Sequence, residues 1–313
     1  MSKLKGLLLT EGMHGMISQV EGLAKALDID FTHHKVELNK FWKLIPPKFT
    51  PVSNFTFNSI TTNDFDIIIS CGRKSVIPSI YLKKNSKKKV HNIHIQDPKV
   101  SLNNFDFIIA PEHDGLTGDN VILSKGSIHY LTKEEITNNH EYLSEKLNKE
   151  KEYLSLILGG PNKYYDYNEK NLIKIFDKIK SILESNNLQA IIIPSMRTPK
   201  KSIELAKKEM SSCGHVVSSV DKQAYLSAYA LADYVVVTCD STSMISEAAT
   251  SGKPIFVAHM RAKKNNYRFK RFFELFKQMG ITRDLGEKVE TWTYKKHNEA
   301  QRIAFNIKNK IKN

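Results

Sequence analysis

Residues 232–257, ADYVVVTCDSTSMISEAATSGKPIFV, restrict the fold more than any other part of the chain. Tyr234 to Thr238 is a short, mostly β-branched run, the pattern of a buried parallel strand. Asp240, Ser241, Thr242 and Ser243 follow, small polar residues suited to capping a helix. A short helix through Glu247 and Ala249 is stopped by Gly252, and a second apolar strand runs from Pro254 to Val257. This reads as a β-α-β unit whose hydroxyl-rich helix N-terminus lies at the carboxyl end of a strand. Backbone N–H groups and the helix dipole favour a phosphate there. Glu247 is no capping-box acid, because position 244 is Met244 rather than Ser or Thr. It lies four residues after Ser243, on the same helix face as the hydroxyls, and is placed to reach a ribose.

The same strand–loop–helix rhythm recurs on either side. In the first half, apolar runs at 4–10, 66–70, 90–95 and 105–110 each end in a polar cluster. The clusters are Glu11-Gly12-Met13-His14-Gly15, Cys71-Gly72-Arg73, Gln96-Asp97-Pro98 and Glu112-His113-Asp114. In the second half, strands at 153–158, 190–194, 214–218 and 234–238 alternate with helices. Gly159-Gly160 and Ser195-Met196-Arg197 stand at two of the strand ends, where open α/β sheets place ligands. A charged helix over 133–151 separates the halves, and the tail beyond residue 265 is basic and helical. The expected organisation is a first domain over 1–150, a second over 151–294, and a C-terminal helix over 295–313. At 313 residues and 41% hydrophobic content, two cored domains are affordable to the chain.

The formal net charge of +14 and pI near 9.4 favour anionic partners, with Lys83 to Lys89 the densest basic run. An acidic membrane face suits such a surface, whereas nucleic acid is not expected, since no aromatic-and-basic RNA motif or zinc-finger spacing occurs. Three scattered cysteines, Cys71, Cys213 and Cys239, suggest neither a disulfide framework nor a metal site, and point to a reducing compartment. No apolar run approaches a membrane span, and MSKLKGLLLT has too short an apolar core for a signal peptide. The expected location is cytoplasmic, with a peripheral place on the inner face of a membrane.

Gly159 and Gly160 after an apolar strand allow close backbone approach and offer N–H groups to an anion. Arg197, with Ser195 beside it, is a natural fork for phosphate oxygens. Gly12 and Gly15 around His14 suggest another anion-binding turn. His14, Arg73, Asp97, His113 and Asp114 are the first-half candidates for acid–base or acceptor contacts, and His113-Asp114 pairs a base with a neighbouring acid. There is no G-x-G-x-x-G, Walker A, G-x-S-x-G or H-E-x-x-H motif, which disfavours dinucleotide chemistry, ATP hydrolysis, serine hydrolysis and zinc.

EGMHGMISQVEGLAKAL, SCGRKSVIP, HIQDPK, FDFIIAPEHDGLTGDNVILSKGSIHYLT, LILGGPNK, IIPSMRTPK and the opening stretch, in this order, resemble the mitochondrial fission Elm-type family (elongated mitochondria). The resemblance spans residues 11–257. It implies an α/β, GT-B-like fold: two Rossmann-type domains with parallel sheets facing across a cleft, often with the C-terminal helix packing back on the first, related to glycosyltransferases that use nucleotide sugars. Gly159, Gly160, Ser241, Thr242 and Ser243 would hold the diphosphate, Ser195 and Arg197 would assist, and Glu247 would bind ribose. Gly15, Arg73, Asp97 and His113 would line the acceptor side. The family's first loop is Asp-Gly-Arg-Pro-Gly-like; here Glu11-Gly12-Met13-His14-Gly15 carries no arginine.

The expected function is metal-independent transfer of a sugar from a nucleotide-diphosphate sugar to a cell-envelope or lipid-linked acceptor, with no further cofactor. His113 or Asp97 would take the acceptor's proton, with Arg73 nearby. The rival is a non-catalytic adaptor, because plant members are fission factors that help recruit a dynamin-like GTPase and fold alone does not fix activity. A nucleotide-sugar epimerase is a third reading, disfavoured by the missing dinucleotide fingerprint.

Overall fold

The computed structural model describes residues 3–60 and 64–312, apart from the side chains of His113 and Lys312. The chain divides into two compact units, Met1–Tyr130 with Asn298–Asn313, and Leu131–His297.

The first unit holds β1 (Lys5–Thr10), α1 (His14–Leu27), β2 (Asp30–Lys35), β3 (Ile67–Cys71), α2 (Val76–Lys84), β4 (His91–Ile95), β5 (Phe107–Pro111) and β6 (Val121–Ser124). Its strands form a parallel six-stranded sheet in the order β2-β1-β3-β4-β5-β6. Leu8, Ile67, Ile69, Ile93 and Ile109 are buried within it, as the unbroken apolar runs require of strands covered on both faces. The order reverses between β1 and β3, which pair from Gly6↔Ile67 to Leu9↔Ser70. Loops leaving those two strands therefore share one crevice.

The second unit holds α3 (Lys133–Thr137), α4 (Glu141–Ser144), β7 (Glu152–Leu158), α5 (Glu169–Asn186), β8 (Leu188–Pro194), α6 (Lys200–Met210), β9 (Gly214–Val216) and α7 (Lys222–Leu231). It continues with β10 (Tyr234–Thr238), α8 (Thr242–Ala248), β11 (Ile255–Ala258), α9 (Tyr267–Gln278) and β12 (Thr282–Asp284). This sheet too is parallel, ordered β12-β11-β10-β7-β8-β9. Its reversal falls between β7 and β10, where Val237 lies opposite Ile157. The opening stretch of the sequence thus flanks the switch point.

Two local features differ from the sequence expectation. The charged segment 133–151 is two short helices rather than one. A capping box between Thr132 and Glu135 starts the first, and Asn138, Asn139 and His140, poor helix formers, interrupt it. Both helices pack on α7, and residues 131–150 lie in the second unit. Leu143 N–H donates to Ser227 Oγ (3.1 Å), and Tyr142 donates to Asp221 (2.6 Å). The last helix, α10 (Glu299–Lys312), packs on α1 in the first unit, where Ala300, Ile303, Ala304 and Ile307 join the core with Leu23 and Leu27. Buried Glu299 accepts from Lys125 N–H (2.8 Å) and from Arg302 (2.6 Å).

The basic run 83–89 is partly neutralised in place. Lys83 pairs with Asp106 (2.7 Å), and Lys88 with Asp64 (3.1 Å) and Asp66 (2.8 Å).

Candidate functional site

At the carboxyl ends of β7 and β10 one carboxylate organises the loops. Asp240 is buried, and its Oδ2 accepts from Gly160 N–H (2.9 Å) and Arg197 Nη2 (2.9 Å). Its Oδ1 accepts from Thr238 Oγ1 (2.7 Å). Gly159 N–H in turn donates to Thr238 Oγ1 (2.8 Å), and Asn162 Nδ2 donates to the Asp240 carbonyl (3.0 Å). Burial pushes the Asp240 carboxyl up from its ordinary value, opposed by the Gly160 N–H, the Thr238 hydroxyl and the Arg197 charge.

The two glycines are required by closeness rather than by backbone angle. A Cβ on Gly159 would lie 2.1 Å from Asp240 Oδ2, and one on Gly160 would lie 2.1 Å from the Arg197 carbonyl oxygen. Both N–H groups, expected from the sequence to be offered to an anion, are already spent on Thr238 and Asp240. Arg197 is likewise no bare fork: Nη1 donates to the Gly160 carbonyl (3.2 Å) while Nη2 holds Asp240. Its side chain nevertheless remains 43% exposed, so the residue is not sealed from solvent. Ser195 works inside its own turn, its N–H and hydroxyl both meeting Thr198 Oγ1 (2.8 and 3.1 Å). Thr198 caps the end of β7 by donating to the Leu158 carbonyl (2.9 Å).

Helix α8 starts as its sequence suggests. Ser241 is the N-cap, its Oγ accepting from Met244 N–H (3.4 Å), and Thr242 and Ser243 stand half-buried on the first turn. Glu247 lies one turn further on, half-buried, with Oε2 accepting from the Tyr225 hydroxyl (2.5 Å). Tyr229 donates to Tyr225 (2.8 Å), so two phenols of α7 lead to one carboxylate. Desolvation pushes Glu247 up to about 7, only partly offset by the Tyr225 hydrogen bond.

The first-unit candidates are more dispersed in role. Glu11, at the end of β1, accepts from Lys74 N–H (3.1 Å) and pairs with its ammonium (2.7 Å), bridging to the turn after β3. Arg73 donates to the carbonyls of Lys43 and Ile45, tying down the loop that precedes β3. His14 is exposed and opens α1 edge-on to Tyr130, and Gly15 has open space around it. Asp97 accepts from Lys99 N–H (2.9 Å) and its ammonium (2.5 Å). Burial acts to raise its carboxyl, yet Lys99 holds it below the usual range, which weakens it as a base. Asp114 is half-buried in the short 3-10 turn after β5, and the His113 side chain is outside the described residues. No group of three or more His, Cys, Asp and Glu residues among the described residues could hold a metal ion.

Sequence reasoning missed Asp240 as an organising group, together with Thr238, Thr198, Tyr225 and Glu11. For Asp240, Thr238, Thr198 and Glu11 only a position at or just after a strand end hinted at a role, and Tyr225, inside α7, gave no such hint, because their partners lie away along the chain: Asp240 is 80 residues from Gly160 and 43 from Arg197.

The family model described as mitochondrial fission ELM1 matches residues 14–311. The chain belongs to that family. A Rickettsia prowazekii (strain Madrid E) relative, the uncharacterized protein RP120, is 28% identical to this ELM1-family chain over 285 residues, covering 79% of this chain and 80% of its own. Mitochondrial fission protein ELM1 of Arabidopsis thaliana is 24% identical over 274 residues, covering 78% of this chain and 64% of its own. Among solved structures, UDP-GlcNAc 2-epimerase of Methanocaldococcus jannaschii, in complex with UDP-GlcNAc and UDP, superposes with a TM-score of 0.53 at 16% identity, covering 98% of this chain and 100% of that one. The Neisseria meningitidis enzyme of the same name, bound to UDP-GlcNAc, gives 0.52 at 11% identity, with both chains covered at 100%. At such identities the likeness is one of fold: this ELM1-family chain has a GT-B-like architecture, with a parallel six-stranded sheet in each unit.

Proposed function

We propose that the second unit binds a nucleotide-diphosphate sugar and that the protein transfers the sugar to a cell-envelope or lipid-linked acceptor. The observation that carries this reading is the coincidence of Asp240, Arg197, the N-terminus of α8 and Glu247 with the β7/β10 switch point. Solved proteins of this fold that hold UDP-GlcNAc support the choice of ligand class. With the Gly159 and Gly160 N–H groups committed, the diphosphate contact falls to the first turn of α8 and to the partly exposed Arg197. Glu247, once ionised, accepts from ribose hydroxyls in place of Tyr225. In the transfer step the α8 N-terminus and Arg197 stabilise the charge that collects on the departing diphosphate. His113 or Asp97 takes the acceptor's proton, and Lys99 counts against Asp97 by holding its carboxylate in a weakly basic form.

One observation favours the adaptor reading instead. Arg197 is paired with Asp240 at 2.9 Å, so the strand-end cluster carries little net positive charge to draw a diphosphate. The family description, mitochondrial fission ELM1, points the same way. Epimerisation returns as a rival too. It was set aside for want of a dinucleotide fingerprint, yet proteins of this fold carry that activity in their names.

Calorimetry with UDP, GDP, ADP and CMP, and with their sugar conjugates, separates these readings. Binding of one nucleotide, weakened about tenfold in Glu247→Ala, is the expected result, a loss of ~1.4 kcal/mol. Heats absent across the whole set would leave the adaptor reading standing. Free nucleotide accumulating with the bound donor marks transfer, whereas an inverted sugar without nucleotide release marks epimerisation.

A further inference from the structure

Between β2 and β3 the chain runs out as NKFWKLIPPKFTPVSNFT, residues 39–56, and shows water an unusual set of side chains. Phe41 is 65% exposed, Leu44 83%, Phe49 70% and Phe55 56%. Scattered exposed apolar residues are ordinary; several large ones within one loop mark a surface that meets something.

This loop is held in shape. Its neck is closed by the bridge between buried Leu38 and Phe57, and Asn39 N–H donates to the Thr56 carbonyl (3.0 Å). Inside it, Lys43 N–H donates to the Asn39 carbonyl (3.1 Å) and Leu44 N–H to that of Phe41 (3.2 Å). Thr50 and Thr56 hydroxyls return to the Pro46 and Ser53 carbonyls (3.1 and 2.7 Å), and Arg73 braces the loop from the turn after β3. Pro46, Pro47 and Pro51 further limit its backbone. Trp42 packs on the core beside Leu38 and Phe57 and contacts the rings of Phe41 (4.8 Å) and Phe55 (6.0 Å), so those aromatics form one cluster. The apolar display is therefore preorganised, and little ordering entropy is lost when it is covered.

Its charge has one sign. Lys40, Lys43 and Lys48 are exposed and make no salt bridge among the described residues, and residues 39–56 contain no Asp or Glu. The flanking acid, Glu37, is paired with Lys35 (2.9 Å). Exposed Phe and Leu interleaved with Lys, without acids, match the boundary between lipid phosphates and acyl chains. In the lysine run 83–89, by contrast, Lys83 and Lys88 are engaged with Asp106, Asp64 and Asp66, and the run carries no comparable apolar display.

We propose that residues 39–56 are a membrane-docking loop for an anionic bilayer. Phe41, Leu44, Phe49 and Phe55 enter the acyl boundary, and Lys40, Lys43 and Lys48 lie among the headgroup phosphates. The inference stands apart from any sugar transfer, since an adaptor would need the same anchorage.

Co-sedimentation of the full chain with vesicles tests it. The chain should sediment with phosphatidylcholine–phosphatidylglycerol vesicles and much less with phosphatidylcholine alone. The variant Leu44→Ser/Phe49→Ser should bind at least about tenfold more weakly with an unchanged melting midpoint, because those two side chains are mostly in water already. Lys40→Glu/Lys43→Glu/Lys48→Glu should abolish the preference for anionic vesicles. Failure to sediment with the mixed vesicles overturns the proposal, as does a serine variant that sediments like its parent. So does a parent that dimerises in solution through this face and comes apart in the serine variant, since a second copy would then be its occupant.

Discussion

At the first unit's switch point, between β1 and β3, Glu11 and Lys74 form an ion pair that water partly reaches, and their neighbours face different tasks. At the second unit's, between β7 and β10, Asp240 has no exposed side-chain surface and gathers Gly160, Thr238 and Arg197 on its two oxygens. Both crevices arise from the same reversal of strand order, so topology alone does not set what fills them. What differs is desolvation: a buried carboxylate must find several donors, and finding them locks three loops together. The second crevice is thereby a fixed platform, and the first an adaptable edge.

The contrast is most exposed to a test at the glycines. Gly160→Ala drives a Cβ into the Arg197 backbone and should cost about 3 kcal/mol of stability. Gly15→Ala meets open space inside α1 and should be neutral or stabilise by up to about 1 kcal/mol. Urea denaturation of the pair decides it; similar costs would mean the second crevice is not tightly built.

Asp240→Ala comes next, with about 2–3 kcal/mol lost, because the Gly160 N–H is left buried and unpaired. Its first-unit counterpart, Glu11→Ala, should cost under about 1 kcal/mol, as a partly solvated pair does. Equal losses in thermal or chemical melts would erase the distinction between platform and edge.

The pH dependence of stability sharpens the comparison from another side. Glu247 is raised from its ordinary 4.5 to about 7, so between those values the folded chain keeps a proton that the unfolded chain releases. Stability attributable to this group is undiminished below pH 4.5, falls as pH rises through the window and is fully lost above pH 7, a change of about 3 kcal/mol. Glu247→Gln should flatten that slope in denaturation midpoints measured across the window. A slope unaltered by the substitution would show that the carboxyl is not desolvated in solution.

Much of the architecture was legible from local pattern. The runs at Ile67–Cys71, Glu152–Leu158 and Tyr234–Thr238 are apolar without alternation, which only a strand covered on both faces tolerates. The polar clusters at their ends were readable for the same reason. Less visible were β6 and β12, the latter a three-residue edge strand, too short for a periodicity signal. The helix read over 133–151 failed because its charge pattern hid a capping box and a break, both details of single residues.

By itself, then, the sequence determined two parallel α/β units and the capped β-α-β stretch of β10, α8 and β11, because strand burial and helix capping are governed by near neighbours. Tertiary structure alone decided that the Gly159 and Gly160 N–H groups are spent internally, that Arg197 answers to Asp240 and that Glu247 answers to Tyr225. It also decided that residues 131–150 join the second unit and that residues 39–56 stand out as a braced, basic and apolar loop. Those outcomes depend on partners tens of residues away, or on which side chains a fold leaves uncovered. Neither is encoded in the spacing of neighbours along the chain.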